Sequence, residues 1–203
     1  MHSTEKTQNW GYAIYRTVYT PESDILFPRV LEKLGAFIKR EIESDLQDDP
    51  LFDPAPNHEV WSRYKSTIID SRDELNGISL DDVRLQFRQM VEEQGRFVEE
   101  PETSNKICLV IDDEVLQIIA QSHEPGEPTP SGILMPYVKV VDAKFGFDGV
   151  NRKGNSRTGP SKYPGWMKAD LNVLWKLWIL VYGDGMEKWC PPMTIFDFPS
   201  FDG

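Results

Sequence analysis

Residues 163–182 read Tyr-Pro-Gly-Trp-Met-Lys-Ala-Asp-Leu-Asn-Val-Leu-Trp-Lys-Leu-Trp-Ile-Leu-Val-Tyr. Met167, Leu171, Leu174, Trp175, Trp178, Val181 and Tyr182 recur at helical spacing, which predicts one helix with these side chains along one side. Lys168, Asp170, Asn172 and Lys176 hold the opposite side only in the first half. From Leu177 to Tyr182 the segment is apolar all round, the pattern of a helix end buried on every side. Gly183 follows where a left-handed cap is wanted. The apolar run falls short of the roughly 20 residues that a membrane span needs, and Lys176 interrupts it. The aromatic stripe suits a ligand pocket as well, but at this spacing core packing is its commoner use. The rest of the chain must cover this helix, and a sheet is the natural cover.

Working outward, residues 10–20 are rich in aromatic and β-branched types and predict a strand. Tyr12, Ile14, Arg16 and Val18 fall on one face, with Ala13, Tyr15, Thr17 and Tyr19 on the other. Residues 23–46 carry a helical stripe of Leu26, Val30, Leu31, Leu34, Phe37, Ile38 and Ile42, and Pro28 implies a start or a bend near it. A loop over 47–58 and a strand at 66–70 come next, then an Asn76-Gly77 turn. Ser79 and Asp82 form a capping box at the head of a helix that Gly95 ends. Residues 106–112 predict a strand buried on both faces. Over 113–120 the acidic start with Asp112 as cap favours a short helix, while the β-branched content allows a strand; a loop spans 122–136, and residues 137–143 form a fourth strand. The expectation is an α+β fold, a four-stranded sheet with helices packed mainly on one face, ferredoxin-like, with a small parallel α/β sheet as the alternative. One domain over 1–203 is expected, with 1–9 disordered, 146–165 a mobile loop and 186–203 an irregular tail.

The net charge is −11 over 203 residues. That disfavours nucleic acid and anionic membranes as partners, because phosphate binding draws on clustered Lys and Arg. The N-terminus has no apolar run of a secretory signal, and the two cysteines are too few for a disulfide framework. A cytoplasmic location is expected.

The segments Gly11-Tyr-Ala-Ile-Tyr-Arg-Thr-Val-Tyr-Thr, Asn76-Gly-Ile-Ser-Leu-Asp-Asp-Val-Arg-Leu-Gln-Phe, Cys108-Leu-Val-Ile-Asp and Tyr137-Val-Lys-Val-Val-Asp together resemble a widespread group of uncharacterised intracellular fungal proteins. The resemblance runs from about residue 10 to 182. It implies a single domain and a fungal source, and it carries over no activity, cofactor or site.

Two features could carry chemistry. Three predicted strands end in aspartate, at Asp70, Asp112 and Asp142. Run in parallel, they would bring three carboxylates to one edge, where open α/β sheets bind ligands, for acid/base work or to hold Mg²⁺. In an antiparallel sheet they would be split. Aspartate is also a common strand end and helix cap. The second feature is the basic run of Arg152, Lys153, Arg157 and Lys162 in a glycine-containing loop, which lacks the spacing of any phosphate-binding motif. Arg16, with Tyr15 and Tyr19, is a candidate ligand-binding group, against a plainer role as a paired strand arginine. No nucleophile motif, no metal-ligand spacing and no cofactor fingerprint is present. The function expected is a non-catalytic protein that binds a partner or small molecule, as a homodimer through an open sheet face. The alternative is an enzyme on a small organic or phosphorylated substrate that uses the strand-end aspartates.

Overall fold

Ile107–Ile111 is buried on both faces, and the architecture follows from covering it twice. In a computed structural model, residues 9–44, 53, 55–127, 135–146, 163–190 and 200–201 are described. Their order is β1 (Ala13–Arg16), α1 (Pro21–Ser44), α2 (Ala55–Ser62), β2 (Thr67–Ile69), α3 (Arg72–Leu75), α4 (Leu80–Glu93), α5 (Thr103–Lys106), β3 (Ile107–Ile111), α6 (Asp113–Gln121), β4 (Tyr137–Asp142), β5 (Trp166–Asp170), α7 (Leu174–Asp184) and β6 (Ser200–Phe201). They build one mixed sheet in the order β2-β1-β3-β4-β5-β6. β1 pairs in parallel with β2 and β3, and β6 with β5, while β4 is antiparallel to both its neighbours.

The α+β class stands, but strand number and order are corrections: six strands replace the expected four, and parallel β2-β1-β3 is not the order of a ferredoxin-like sheet. Alternation along β1 is as read. Tyr12, Ile14 and Val18 join the core under α1, α6 and α7. Ala13, Tyr15 and Tyr19 join a second core with Val83, Phe87 and Val91 of α4. That second core covers β1, β3 and β4 on the face expected to be bare, so the surface invoked for a homodimer is occupied by α4. Ser79 caps α4 with the reciprocal Asp82 bond the sequence predicts. The Asp112 carboxylate accepts the Val115 N–H at 3.1 Å as the cap of α6.

The stretch 163–182 is not one helix. Trp166–Asp170 is strand β5, with Met167 and Ala169 buried and their neighbours half-buried. Met167 and Leu171 lie four apart, but Met167, Ala169 and Leu171 also fit a period of two. Five-residue pairing with β4 decides between the two periods, because sheet preference reflects packing more than local propensity. After a 3-10 turn at Leu171–Val173, only Leu174–Asp184 is α-helical, and it kinks at Tyr182 and at Gly183, whose φ is +83°. Its last turn is not buried on every side: Ile179 is 51 % and Tyr182 59 % exposed. α1 starts earlier than read, at Pro21, with Thr20 and Ser23 exchanging N–H to hydroxyl bonds of 2.7 and 3.0 Å. Pro28 lies inside α1 on the solvent side, where water can reach the carbonyl it leaves unpaired. Residues 55–62, read within a loop and the approach to a strand, form α2. No helix among the described residues is long and apolar enough to cross a membrane.

The doubly buried strand makes a direct prediction. Leu109→Ala should cost about 2–5 kcal/mol, the usual loss for a cavity under a buried leucine. Leu85→Ala, at a position 59 % exposed on α4, should stay within about 0.5 kcal/mol. Urea denaturation of both variants checks this, and equal losses would contradict the assigned burial.

Candidate functional site

The topology sorts the chain's charged strand ends onto two edges. Arg16 ends β1, and Asp70 and Asp112 directly follow the C-terminal ends of β2 and β3, which run parallel to it. Asp142 ends antiparallel β4 and lies at the other edge, its Cα paired with that of Ile107. The full length of β3 separates it from the level of Asp112, about 16 Å at roughly 3.3 Å per residue. The three strand-end aspartates therefore do not converge, which corrects the parallel-edge expectation. Among the described residues no group of three or more His, Cys, Asp or Glu side chains is placed to hold a metal ion.

At the first edge the charges are satisfied. Arg16 is buried, and its Nε donates to the Val18 carbonyl at 2.9 Å. Its Nη1 meets Asp70 at 3.5 Å, and its Nη2 bonds Ser23 at 3.0 Å and also Asp24. Its guanidinium lies 4.6 Å from the Tyr19 ring centre. All three nitrogens are engaged, so the plainer reading of Arg16, a strand arginine paired with carboxylates, describes it. The Tyr19 hydroxyl donates to the Arg16 carbonyl at 3.0 Å. Tyr15 is buried with its ring edge-on to Phe87, 6.4 Å between centres. Beside this cluster, Lys139 binds Asp112 at 2.5 Å and Glu114 at 2.6 Å. Lys168, the cross-strand partner of Lys139, reaches Glu114 at 3.0 Å. Hydrogen bonds from Lys139, then from Tyr137 and Lys168, hold the Glu114 carboxyl down at about 2.

The other edge differs. A cavity of about 230 Å³ opens there between the end of β4, the start of β3 and the kinked end of α7. Lys106 and Asp142 both line it. Their backbones touch: the Ala143 N–H donates to the Lys106 carbonyl at 2.7 Å. Asp142 is 5 % and Lys106 6 % exposed. Neither forms a salt bridge among the described residues, whether with the other or with a third group. The Asp142 carboxylate accepts the Lys144 N–H at 2.8 Å and the Tyr163 hydroxyl at 2.8 Å. Burial raises its pKa against the lowering effect of these bonds and of the Arg84 guanidinium, whose Nε donates to the Asp142 carbonyl at 2.9 Å. Lys106 Nζ donates to the Val181 carbonyl at 3.3 Å, which also accepts the Gly185 N–H at 3.2 Å, near the end of a helix that favours a cation. Burial, then Lys144 nearby, lowers its pKa. Lys144 and Glu187 stand exposed at the rim. Asp184 is tied to Lys188 at 2.7 Å. Gly183 and Gly185 form part of the wall at φ +83° and +86°, backbone that a side chain would strain.

Both cysteines are free and are held as thiols. Burial raises Cys108, which lies wholly inside the second core. Burial and the Asp142 and Glu187 charges push Cys190 up to about 12. Neither is an activated nucleophile, because reactivity belongs to the thiolate. Of the predicted site residues, Asp142 alone reaches the cavity. Lys106 was missed, since only the register of β3 against β4 brings it beside Asp142. Arg152, Lys153, Arg157 and Lys162 lie outside the described residues.

No family model matches the chain, and no curated protein or solved structure is similar to it.

Glu114 makes a pH prediction. Its folded pKa lies below the ordinary value of 4.5, so its contribution to stability is present above about pH 4.5 and is lost as the pH falls towards about 2. Melting temperatures of the wild type and Glu114→Gln, taken between pH 6 and 2, should therefore be further apart at the upper end and converge at the lower. A gap that stays constant with pH would contradict the assigned ion pairing.

Proposed function

We propose that the chain is a non-catalytic binding protein whose ligand is a small zwitterion, an amino-acid-like molecule, held in the cavity between β3, β4 and α7. One observation carries this reading: Asp142 and Lys106 are buried, opposite in charge and share a cavity wall, yet neither forms a salt bridge among the described residues. Burying a charge without a partner is costly, and such groups are usually paired with each other or with a ligand. A ligand ammonium would meet Asp142, and its carboxylate would meet Lys106 and the Lys144 side chain at the rim. The volume suits a metabolite smaller than a drug-sized molecule. Binding is favoured over catalysis because both thiols are protonated and Asp142 lies at the opposite edge from Asp70 and Asp112, out of reach for joint acid/base work with them.

The test is a thermal melt against the standard free amino acids and γ-aminobutyrate, each at millimolar concentration. At 100 times its dissociation constant a ligand stabilises by about 2.7 kcal/mol, a rise of roughly 5–10 °C for a chain of this size. Lys144→Ala should weaken the response and Asp142→Asn abolish it. Without ligand, Asp142→Asn should melt at the same temperature or higher at pH 7, because it removes a buried charge that has no salt bridge among the described residues, while an amide can still meet Tyr163 and the Lys144 N–H. A marked fall in its melting point, with no wild-type response to any probe, would make Asp142 a turn-holding residue and overturn the proposal.

A further inference from the structure

A second cavity lies on the far side of the α7 kink. It has a volume of about 460 Å³ and shares no lining residue with the first. We infer that it is a binding site for a planar aromatic anion, which would stack on Trp178 and Tyr182 and pair its charge with Lys65 and Arg96. Trp178 and Tyr182 lie four residues apart, neighbours on the surface of α7. The Trp178 ring is fixed edge-on by Tyr12, 5.0 Å between centres, and at a tilt by Trp10, 5.4 Å between centres. It is a rigid platform, and a base or other flat ring stacks on such a surface whatever its edge groups. Tyr182 is 59 % exposed. A large aromatic left open beside a cavity is the unusual feature here, since the rest of the aromatic stripe is drawn against the core.

The cations sit across from these rings. Lys65 is exposed and forms no ion pair or side-chain hydrogen bond among the described residues. It is set at the rim by Gly11, whose φ is +152° and where a Cβ would lie 2.5 Å from the Lys65 carbonyl carbon. The chain is that close because the Lys65 N–H donates to the Trp10 carbonyl at 2.7 Å. Arg96 is oriented by a 3.2 Å bond to the Ser104 hydroxyl, and its Nε donates to no group among the described residues. Lys65 and Arg96 outnumber the single carboxylate of the lining, Glu102, on a chain whose net charge is −11. Aromatic faces with a local excess of positive charge match a flat ring that carries one anionic group.

The probe is 8-anilinonaphthalene-1-sulfonate, a flat aromatic sulfonate whose fluorescence rises on binding, titrated into the folded full-length chain. Saturable one-to-one binding is expected. Tyr182→Ala and Lys65→Glu, both at exposed positions, should each weaken it about tenfold with little change in melting temperature. The uncharged N-phenyl-1-naphthylamine should bind at least about tenfold more weakly, as loss of a charge-assisted contact implies. Asp142→Asn should leave the titration unchanged, so this site and the zwitterion cavity succeed or fail separately. Absence of saturable binding, indifference to both substitutions, or equal affinity for the uncharged probe would overturn the inference.

Discussion

The double burial of β3 is the constraint on which the other elements depend. A strand with no polar face needs a layer on each side. α1, α6 and α7 supply one, and α4 with its flanking turns supplies the other. The strand's two ends then become the only places where its flanking polar residues can stand. Asp112 at one end caps α6 and meets Lys139. Lys106 at the other end sits beside Asp142 because β4 runs antiparallel to β3. A parallel β4 would have sent Asp142 to the Asp112 edge and left Lys106 with a different neighbour.

The two edges deal with charge in opposite ways. Around Arg16, Lys139 and Glu114 each buried or half-buried charge has partners, and such groups set strand ends and helix starts in place. Around Lys106 and Asp142 the side-chain hydrogen bonds go to neutral groups, a carbonyl, a hydroxyl and a backbone N–H, and the nearby charges, Arg84 for Asp142 and Asp184 for Lys106, form no salt bridge with them among the described residues. Burial therefore works against the charged form of both. A protein that keeps such a pair unmatched forgoes stability at that spot, which is the usual signature of a functional site and not of a fold-holding one. The Val181 carbonyl, shared with the Gly185 N–H, orients the lysine beside the α7 kink, and the kink at Tyr182 and Gly183 leaves Tyr182 exposed beside the second cavity.

Much of this was legible in the sequence where local chemistry decides. The Ser79–Asp82 capping box, the Asp112 cap, the unbroken apolar run of β3 and the two faces of β1 all depend on neighbours within a few residues. The failures come where distant pairing decides. Trp166–Asp170 fits both a helical and a strand period, and only its pairing with β4 selects the strand. The one-turn helices α3 and α5 are too short to show a period. Asp142 was a candidate for the wrong reason: it was grouped with Asp70 and Asp112 as a strand end, whereas its surroundings come from Lys106, Tyr163 and the α7 kink. No spacing in the chain announces that Lys106 lies beside it.

The central claim is that Asp142 is a buried carboxylate with no salt-bridge partner among the described residues. The most direct measurement is its titration, followed by NMR at its carboxyl carbon with Asp142→Asn used for assignment. The account predicts a midpoint above the ordinary aspartate value of about 3.9. A midpoint at or below that value would mean that a cation already neutralises the group, and the cavity would lose its claim to a ligand.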